Sequence, residues 1–282
     1  MFSFDNLLEE KRRPLVMGIL NVTPDSFSDG AQAFSRETVI AKVKSLCNQG
    51  ADIIDVGACS TAPVNDLAST EEELRRLELF LPLVLRESTV PVSIDTFRPE
   101  IARYAVQLGV SIINDESGAF NEEMAVVVKQ YGCGWIFMHT GDKSSSQVAE
   151  YKNGVVQDVL SFFGEMKRRA TEMNIALCQL SFDCGIGFGK TRDDDLTLLA
   201  SCDVLSGYSP LLIGASRKRI IGALTGIDVP SERVEGSVAV AKLVAQDGAK
   251  ILRVHDVAQT VEAISNINKG SIYNGKDNYQ RS

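Results

Sequence analysis

The sequence predicts an α/β protein, a single (β/α)8 TIM barrel. Three observations predict it. Apolar, β-rich runs alternate with amphipathic stretches from end to end, eight of each. Most of the runs are almost continuously apolar, as parallel strands buried on both faces are. The chain has 282 residues, and a barrel of this kind needs about 250. A doubly wound open sheet shares the alternation but rarely needs eight such units.

The strands are expected at 15–21 (LVMGILN), 52–58 (DIIDVGA), 91–95 (PVSID) and 111–115 (SIIND), then at 134–139 (GWIFMH), 178–183 (CQLSFD), 210–215 (PLLIGA) and 250–255 (KILRVH). The helices fall between them at 37–49, 70–87, 99–108, 121–131, 155–174, 193–206, 232–247 and 257–268. In the first of these, Val39, Ile40, Val43 and Leu46 recur at three- and four-residue spacing and make one apolar face. Ser69 with Glu72 suits a capping box ahead of the second. No linker, low-complexity block or composition shift divides the chain. It reads as one domain, 1–282, whose polar tail at 269–282 is expected to be loose.

Composition narrows the function. A net charge of -8 repels a phosphate backbone and argues against nucleic-acid binding. Any anionic ligand must therefore meet a local positive cluster. No apolar run approaches the roughly 18 residues that span a bilayer, so no membrane role is expected. The opening MFSFDNLLEEKRRP carries acids where a signal peptide needs an apolar stretch, which predicts a cytoplasmic protein. Cysteines at 47, 59, 133, 178, 184 and 202 contain no CxxC, and two histidines are too few for an ordinary zinc site.

The apolar runs end in polar residues, in phase. They end at Asn21, at Cys59-Ser60-Thr61, at Asp95, at Asn114-Asp115, at His139, at Asp183, at Ser216-Arg217-Lys218 and at Arg253-Val254-His255. In a barrel all such ends lie on one face, where active sites are built. Each residue alone is a strand-end turn former or helix cap. Together they describe a ligand site. Asp95 and Asp183 follow apolar strands and are expected to be partly buried; a buried carboxylate needs donors, and a flat heterocycle with an amino group and ring N–H supplies them. Asn114 can donate and accept on the same edge. Arg217, Lys218, Arg253 and His255 converge from the last two strands, where barrels often hold phosphate. The glycines of GIGFGKT (185–191) fit neither a P-loop nor a dinucleotide fingerprint, and read as tight turns beside a ligand. Segments 23–34 and 59–69 are candidate lids.

These residues carry a resemblance. MGILNVTPDSFSDG (17–30), SIDT (93–96), IIND (112–115), GIGFGKT (185–191), SRK (216–218) and RVHD (253–256) stand in the order and spacing of the dihydropteroate synthase family, and the likeness runs from about 14 to 268. The resemblance implies a TIM-barrel homodimer. It implies a folate-pathway transferase, blocked by sulfonamides, that joins 6-hydroxymethyl-7,8-dihydropterin pyrophosphate to p-aminobenzoate and releases pyrophosphate. It implies that Asp95, Asn114 and Asp183 bind the pterin ring, with Met138, Phe188 and Gly214 lining its slot. Lys218 meets the ring edge and Arg253 one face, so that Asp95, Lys218 and Arg253 carry catalysis. Asn21, Arg253 and His255 would hold pyrophosphate, with Mg²⁺ near Asn21. Phe27, Asp29, Ser60, Thr61 and Pro63 would belong to two lids over p-aminobenzoate.

The second lid departs from the family pattern, which is close to Gly-Gly-Glu-Ser-Thr-Arg-Pro-Gly. Here it reads Gly57-Ala58-Cys59-Ser60-Thr61-Ala62-Pro63-Val64. The family's glutamate and arginine are absent, and Cys184 and Arg219 stand where the family has Pro and Ser. Arg219 is therefore a candidate to replace the lid arginine from the opposite rim, and sulfonamide sensitivity is expected to be reduced. A pterin-binding paralogue with a different acceptor, or without turnover, is the alternative that the sequence leaves open.

Overall fold

The computed structural model describes residues 1–22, 35–58, 68–141 and 151–267. Eight parallel strands close into a barrel in sequence order: β1 (Leu15–Asn21), β2 (Ile53–Gly57), β3 (Val92–Asp95), β4 (Ile112–Asp115), β5 (Gly134–Met138), β6 (Leu180–Asp183), β7 (Leu211–Ile213) and β8 (Ile251–Val254). β8 returns to pair with β1, Leu15 opposite Ile251 and Met17 opposite Arg253. The predicted fold class holds, and every predicted strand is present. Most are shorter by one to three residues.

Around the barrel run α2 (Arg36–Asn48), α3 (Thr70–Glu87), α4 (Pro99–Leu108), α5 (Glu122–Tyr131), α6 (Val155–Glu172), α7 (Arg192–Leu199), α8 (Cys202–Leu205), α9 (Arg219–Thr225), α10 (Val234–Gln246) and α11 (Val257–Ile264). The helix expected over 193–206 is two, α7 and the short α8. α9 was not expected at all. Ser69 caps α3 by accepting from the Glu72 amide. Glu72 does not reach back to complete a capping box; its carboxylate takes Arg75 and Arg76 instead.

A further helix, α1 (Phe4–Lys11), precedes β1 and was also not expected. Ser3 caps it, and Phe4, Leu7 and Leu8 point one way. They join Leu15, Met17, Ile53, Ile112, Ile136, Leu212 and Ile251 in one buried cluster. α1 thus plugs the N-terminal end of the barrel with apolar side chains. At that end Arg13 grips the buried Asp52 through two bonds of 2.7 and 3.1 Å.

This plug decides where a ligand can enter. Successive residues of a strand face opposite ways. Ile53, Ile112, Ile136, Leu212 and Ile251 face the axis at the plugged end. Two residues further along the same strands stand Asp55, Asn114, Met138, Gly214 and Arg253. The barrel interior thus changes from hydrocarbon to polar groups in one step along the axis, and the polar layer is at the C-terminal mouth.

Candidate active site

Arg253 lies at the centre of this layer. Its Nε donates to Asp55 Oδ2 at 2.7 Å, and its Nη2 donates to Asp95 Oδ2 at 2.6 Å. Asn114 Nδ2 donates to the same Asp55 oxygen at 3.2 Å. Burial opposes the charge of Arg253, but the carboxyls of Asp55, Asp95 and Glu116 raise its pKa further, so it stays cationic. Asp55 Oδ1 is buried and has no hydrogen-bond partner among the described residues. An acceptor of this kind is what an incoming N–H donor requires.

Asp183 closes β6 and accepts from the Gly185 amide at 2.7 Å. Burial pushes the carboxyls of both Asp95 and Asp183 above the usual carboxylate range; Lys218 and the Gly185 bond pull Asp183 back. Lys218 donates to Ile186 O at 2.7 Å, with its ammonium 4.4 Å from the centre of the Phe188 ring. Burial lowers its pKa, and Asp183 opposes that. Met138 is buried at the end of β5, and Gly214 leaves a gap where a Cβ would lie 3.8 Å from both Asp183 Oδ2 and Arg253 Cβ. Asp95, Asn114, Met138, Asp183, Phe188, Gly214, Lys218 and Arg253 therefore belong to one mouth.

The loop after β6 makes room for them. Gly185, Gly187 and Gly189 all have positive φ, the tight turning expected of 185–191. At Gly185 a Cβ would sit 1.8 Å from His139 O. Lys190 is occupied within the loop. Its buried ammonium staples the loop by donating to the carbonyls of Gly185 at 3.0 Å, His139 at 3.2 Å and Phe188 at 3.3 Å.

His255 Nδ1 lies 3.1 Å from Ser216 Oγ. Burial, Arg217 and Arg253 hold its pKa down to about 4, so at neutral pH its ring is uncharged. Arg217 does not join the mouth, contrary to expectation. It adopts φ 59 and turns outward to Asp256, with Nε 3.0 Å and Nη2 2.5 Å from its carboxylate. The reason is Asp256 itself, a buried acid that needs a partner. His139 and Asp115 also point away from the axis. His139 pairs with Asp158 at 2.9 Å, and Asp115 accepts from Trp135 Nε1 at 3.2 Å.

Asn21 ends β1, opposite Gly57, where a Cβ would come within 3.1 Å of its Oδ1. Arg219, exposed at the start of α9, lines a cavity of about 290 Å³ with Lys190, Thr191, Arg192, Asp195 and Ile220. Phe27, Asp29, Cys59, Ser60, Thr61, Ala62 and Pro63 lie outside the described residues. So does the predicted tail at 269–282. The end of β2 beside the second lid is anchored, since Ala58 O accepts from Arg76 Nη1 at 2.8 Å. Cys184 is fully buried, and burial drives its thiol pKa up, as in a side chain that fills space.

Two residues of the mouth were not predicted, Asp55 and Glu116. Both are buried, and both stand at even spacing from an interior isoleucine, Ile53 or Ile112.

Residues 17–255 match the family described as pterin binding enzyme. The chain is 37% identical to the dihydropteroate synthase of Bacillus subtilis over 274 residues, 95% of this chain and 94% of that one. It is 40% identical to the Escherichia coli dihydropteroate synthase over 253 residues, 89% of each. Among solved structures, the Xanthomonas albilineans dihydropteroate synthase with 4-aminobenzoic acid superposes with a TM-score of 0.83 at 41% identity, covering 90% of this chain and 91% of that one. The same relative in complex with 7,8-dihydropteroate gives 0.80 at 40% identity over 90% and 92%.

Proposed function

The chain belongs to the pterin-binding enzyme family and is a dihydropteroate synthase-type transferase of folate biosynthesis, and from that premise we propose how its own residues divide the work. The reaction condenses 6-hydroxymethyl-7,8-dihydropterin pyrophosphate with p-aminobenzoate. The observation that carries the assignment of roles is the pair of carboxyls on separate strands, the buried Asp183 and the largely buried Asp95, with Arg253 and Lys218 beside them.

Asp183, Asn114 and Asp95 take the amino and ring N–H groups of the pterin, because buried acceptors bind donors that water cannot replace. Met138, Phe188 and Gly214 form the slot, and Lys218 meets the ring edge. The C–O bond to pyrophosphate breaks first. Arg253, neutral His255 and Asn21 hold the departing anion, and Asp95 stabilises the positive charge left on the ring. The neutral arylamine then forms the C–N bond, and its surplus proton leaves to solvent. No strong base is required.

Mg²⁺ fits as an ion held jointly. Among the described residues no three His, Cys, Asp or Glu gather around a metal position, whereas Asn21 offers one oxygen beside the gap left by Gly57. Mg²⁺ takes oxygen ligands and keeps substrate phosphates among them. When bound it supplies neutralisation of the leaving group's charge.

Phe27, Asp29, Ser60, Thr61 and Pro63 are assigned to the two lids around p-aminobenzoate, and Arg219 to the acceptor side. What supports Arg219 is its place on a cavity beside a further cation, Arg192, and a single acid, Asp195. A homodimer is proposed from the family likeness. A cytoplasmic location is supported by the five free thiols among the described cysteines, and no described helix is long and apolar enough to cross a membrane.

The test is to mix purified protein with dihydropterin pyrophosphate, p-aminobenzoate and Mg²⁺ and to follow dihydropteroate by mass. Product that requires both substrates and is lost in Asp95→Asn is the expected result. Binding of the pterin substrate without any product would overturn the assignment of p-aminobenzoate as acceptor.

A further inference from the structure

Glu116 is the first residue after β4 and has no part in the roles above. Along β4, Ile112 faces the axis within the interior cluster, and Asn114 faces it through Asp55. Ile113 packs in the outer layer, and Asp115 bonds to Trp135 there. The alternation brings Glu116 back to the axis, one layer above Asn114. It is 4% exposed. In that position its carboxyl lies within hydrogen-bonding reach of the carboxyl of Asp95.

Two carboxylates repel, and neither has a proton to donate. A hydrogen bond between two carboxyls exists only when one of them is protonated. The surroundings favour such a proton. Asp55 from β2, Asp95 from β3, Glu116 after β4 and Asp183 from β6 face the mouth, against Lys218 after β7 and Arg253 on β8. Asp115 adds a further acid behind Glu116, and His255 is neutral. Four acids around two bases are a poor place to bring a pyrophosphate. One retained proton reduces that surplus.

We propose that Glu116 is a positioning residue of the pterin subsite: it shares a single proton with Asp95, holding Asp95 against Arg253 in the free enzyme, and the pair gives the proton up to solvent when the N–H donors of the pterin take its place. The proposal rests on the pterin reading of the site. It makes pterin affinity rise with pH wherever the free pair still holds its proton, by at most tenfold per pH unit for one proton. Glu116→Gln keeps a donor beside Asp95 but has no proton to release. Glu116→Val removes the contact altogether.

Two measurements separate the proposal from the reading beneath it. The first needs no ligand. Infrared difference spectra of free wild-type protein and Glu116→Gln should show one protonated-carboxyl band fewer in the variant; no difference at any pH between 5 and 8 overturns the shared proton. The second is calorimetry of 6-hydroxymethylpterin binding in buffers of different ionisation enthalpy. Wild type should release close to one proton and bind up to tenfold more tightly per pH unit on the acid side. Glu116→Gln should release none and bind with a pH-independent Kd. Equal release in both proteins overturns the role of Glu116. The infrared band without any pterin binding overturns the pterin reading and leaves the pair standing.

Discussion

Arg253 donates from Nε to Asp55 Oδ2 across 2.7 Å, and Asp55 is wholly buried in the middle of β2. With Nη2 committed to Asp95, the guanidinium is held from two sides, and Asn114 bonds to the same Asp55 oxygen. Asp55 therefore fixes the orientation of two residues assigned to the substrate. Replacing it by Ala removes a charged hydrogen bond, about 1.5–3 kcal/mol. We expect kcat/KM for the pterin substrate to fall about 10- to 100-fold. Steady-state kinetics check this, with circular dichroism to confirm folding; unchanged kinetics would mean that Asp95 alone orients Arg253.

Lys190 makes the opposite prediction, a loss of stability. Its ammonium serves three carbonyls of the loops after β5 and β6, and burial lowers its pKa to about 8. Lys190→Ala leaves those carbonyls without their donor, a cost of about 1–3 kcal/mol for each buried group left unsatisfied. The variant should melt several degrees lower. If Lys190 were instead a phosphate ligand, Tm would hold and pyrophosphate affinity would drop, which thermal melts with and without pyrophosphate distinguish.

The two histidines should stay neutral well below their ordinary range. Burial, with Lys190 near His139 and with Arg217 and Arg253 near His255, holds both to about 4, below the ordinary histidine value of about 6.5. A folded pKa below the unfolded one means that the unfolded chain binds more protons between these values. Each histidine thus contributes stability that is complete above pH 6.5 and is lost as the pH falls towards 4. Proton NMR should give two imidazole midpoints near 4, and His255→Asn should flatten the dependence of Tm on pH over 4–6.5. Midpoints near 6.5 would refute the buried, neutral assignment.

The strands and the mouth were legible because they depend on period. A run of apolar residues with a polar end places that end on the C-terminal face whatever the helices do, and Asp95, Asn114, Asp183 and Arg253 all follow from it. Asp55 and Glu116 were hidden because attention to strand ends passes over mid-strand residues and those just beyond. Counting in twos from Ile53 and Ile112 would have exposed both. Arg217 and Lys218 could not be told apart by any period. They sit on a turn, where φ 59 at Arg217 sends neighbours to opposite sides. α1 was legible in the Ser3 cap and the spacing of Phe4, Leu7 and Leu8, but a segment of eight residues gives little periodicity to detect.

The acceptor side offers the sharpest contrast with the relatives. Arg219 opens α9, exposed on the rim of a cavity whose other charged walls are Lys190, Arg192 and Asp195. The second lid carries Ala62 where the family pattern has arginine. If Arg219 takes over the carboxylate of p-aminobenzoate, Arg219→Ser removes one charged hydrogen bond, about 1.5–3 kcal/mol. The acceptor KM should then rise about 10- to 100-fold while the KM for the pterin substrate stays within about twofold. Sulfonamides occupy the same subsite, so their inhibition constants should move with the acceptor KM and, in the wild-type protein, exceed those of the Escherichia coli relative. An unchanged acceptor KM would mean that Arg219 only faces solvent, and inhibition constants equal to those of the relative would mean that the substitutions at Cys59 and Ala62 leave drug affinity unchanged.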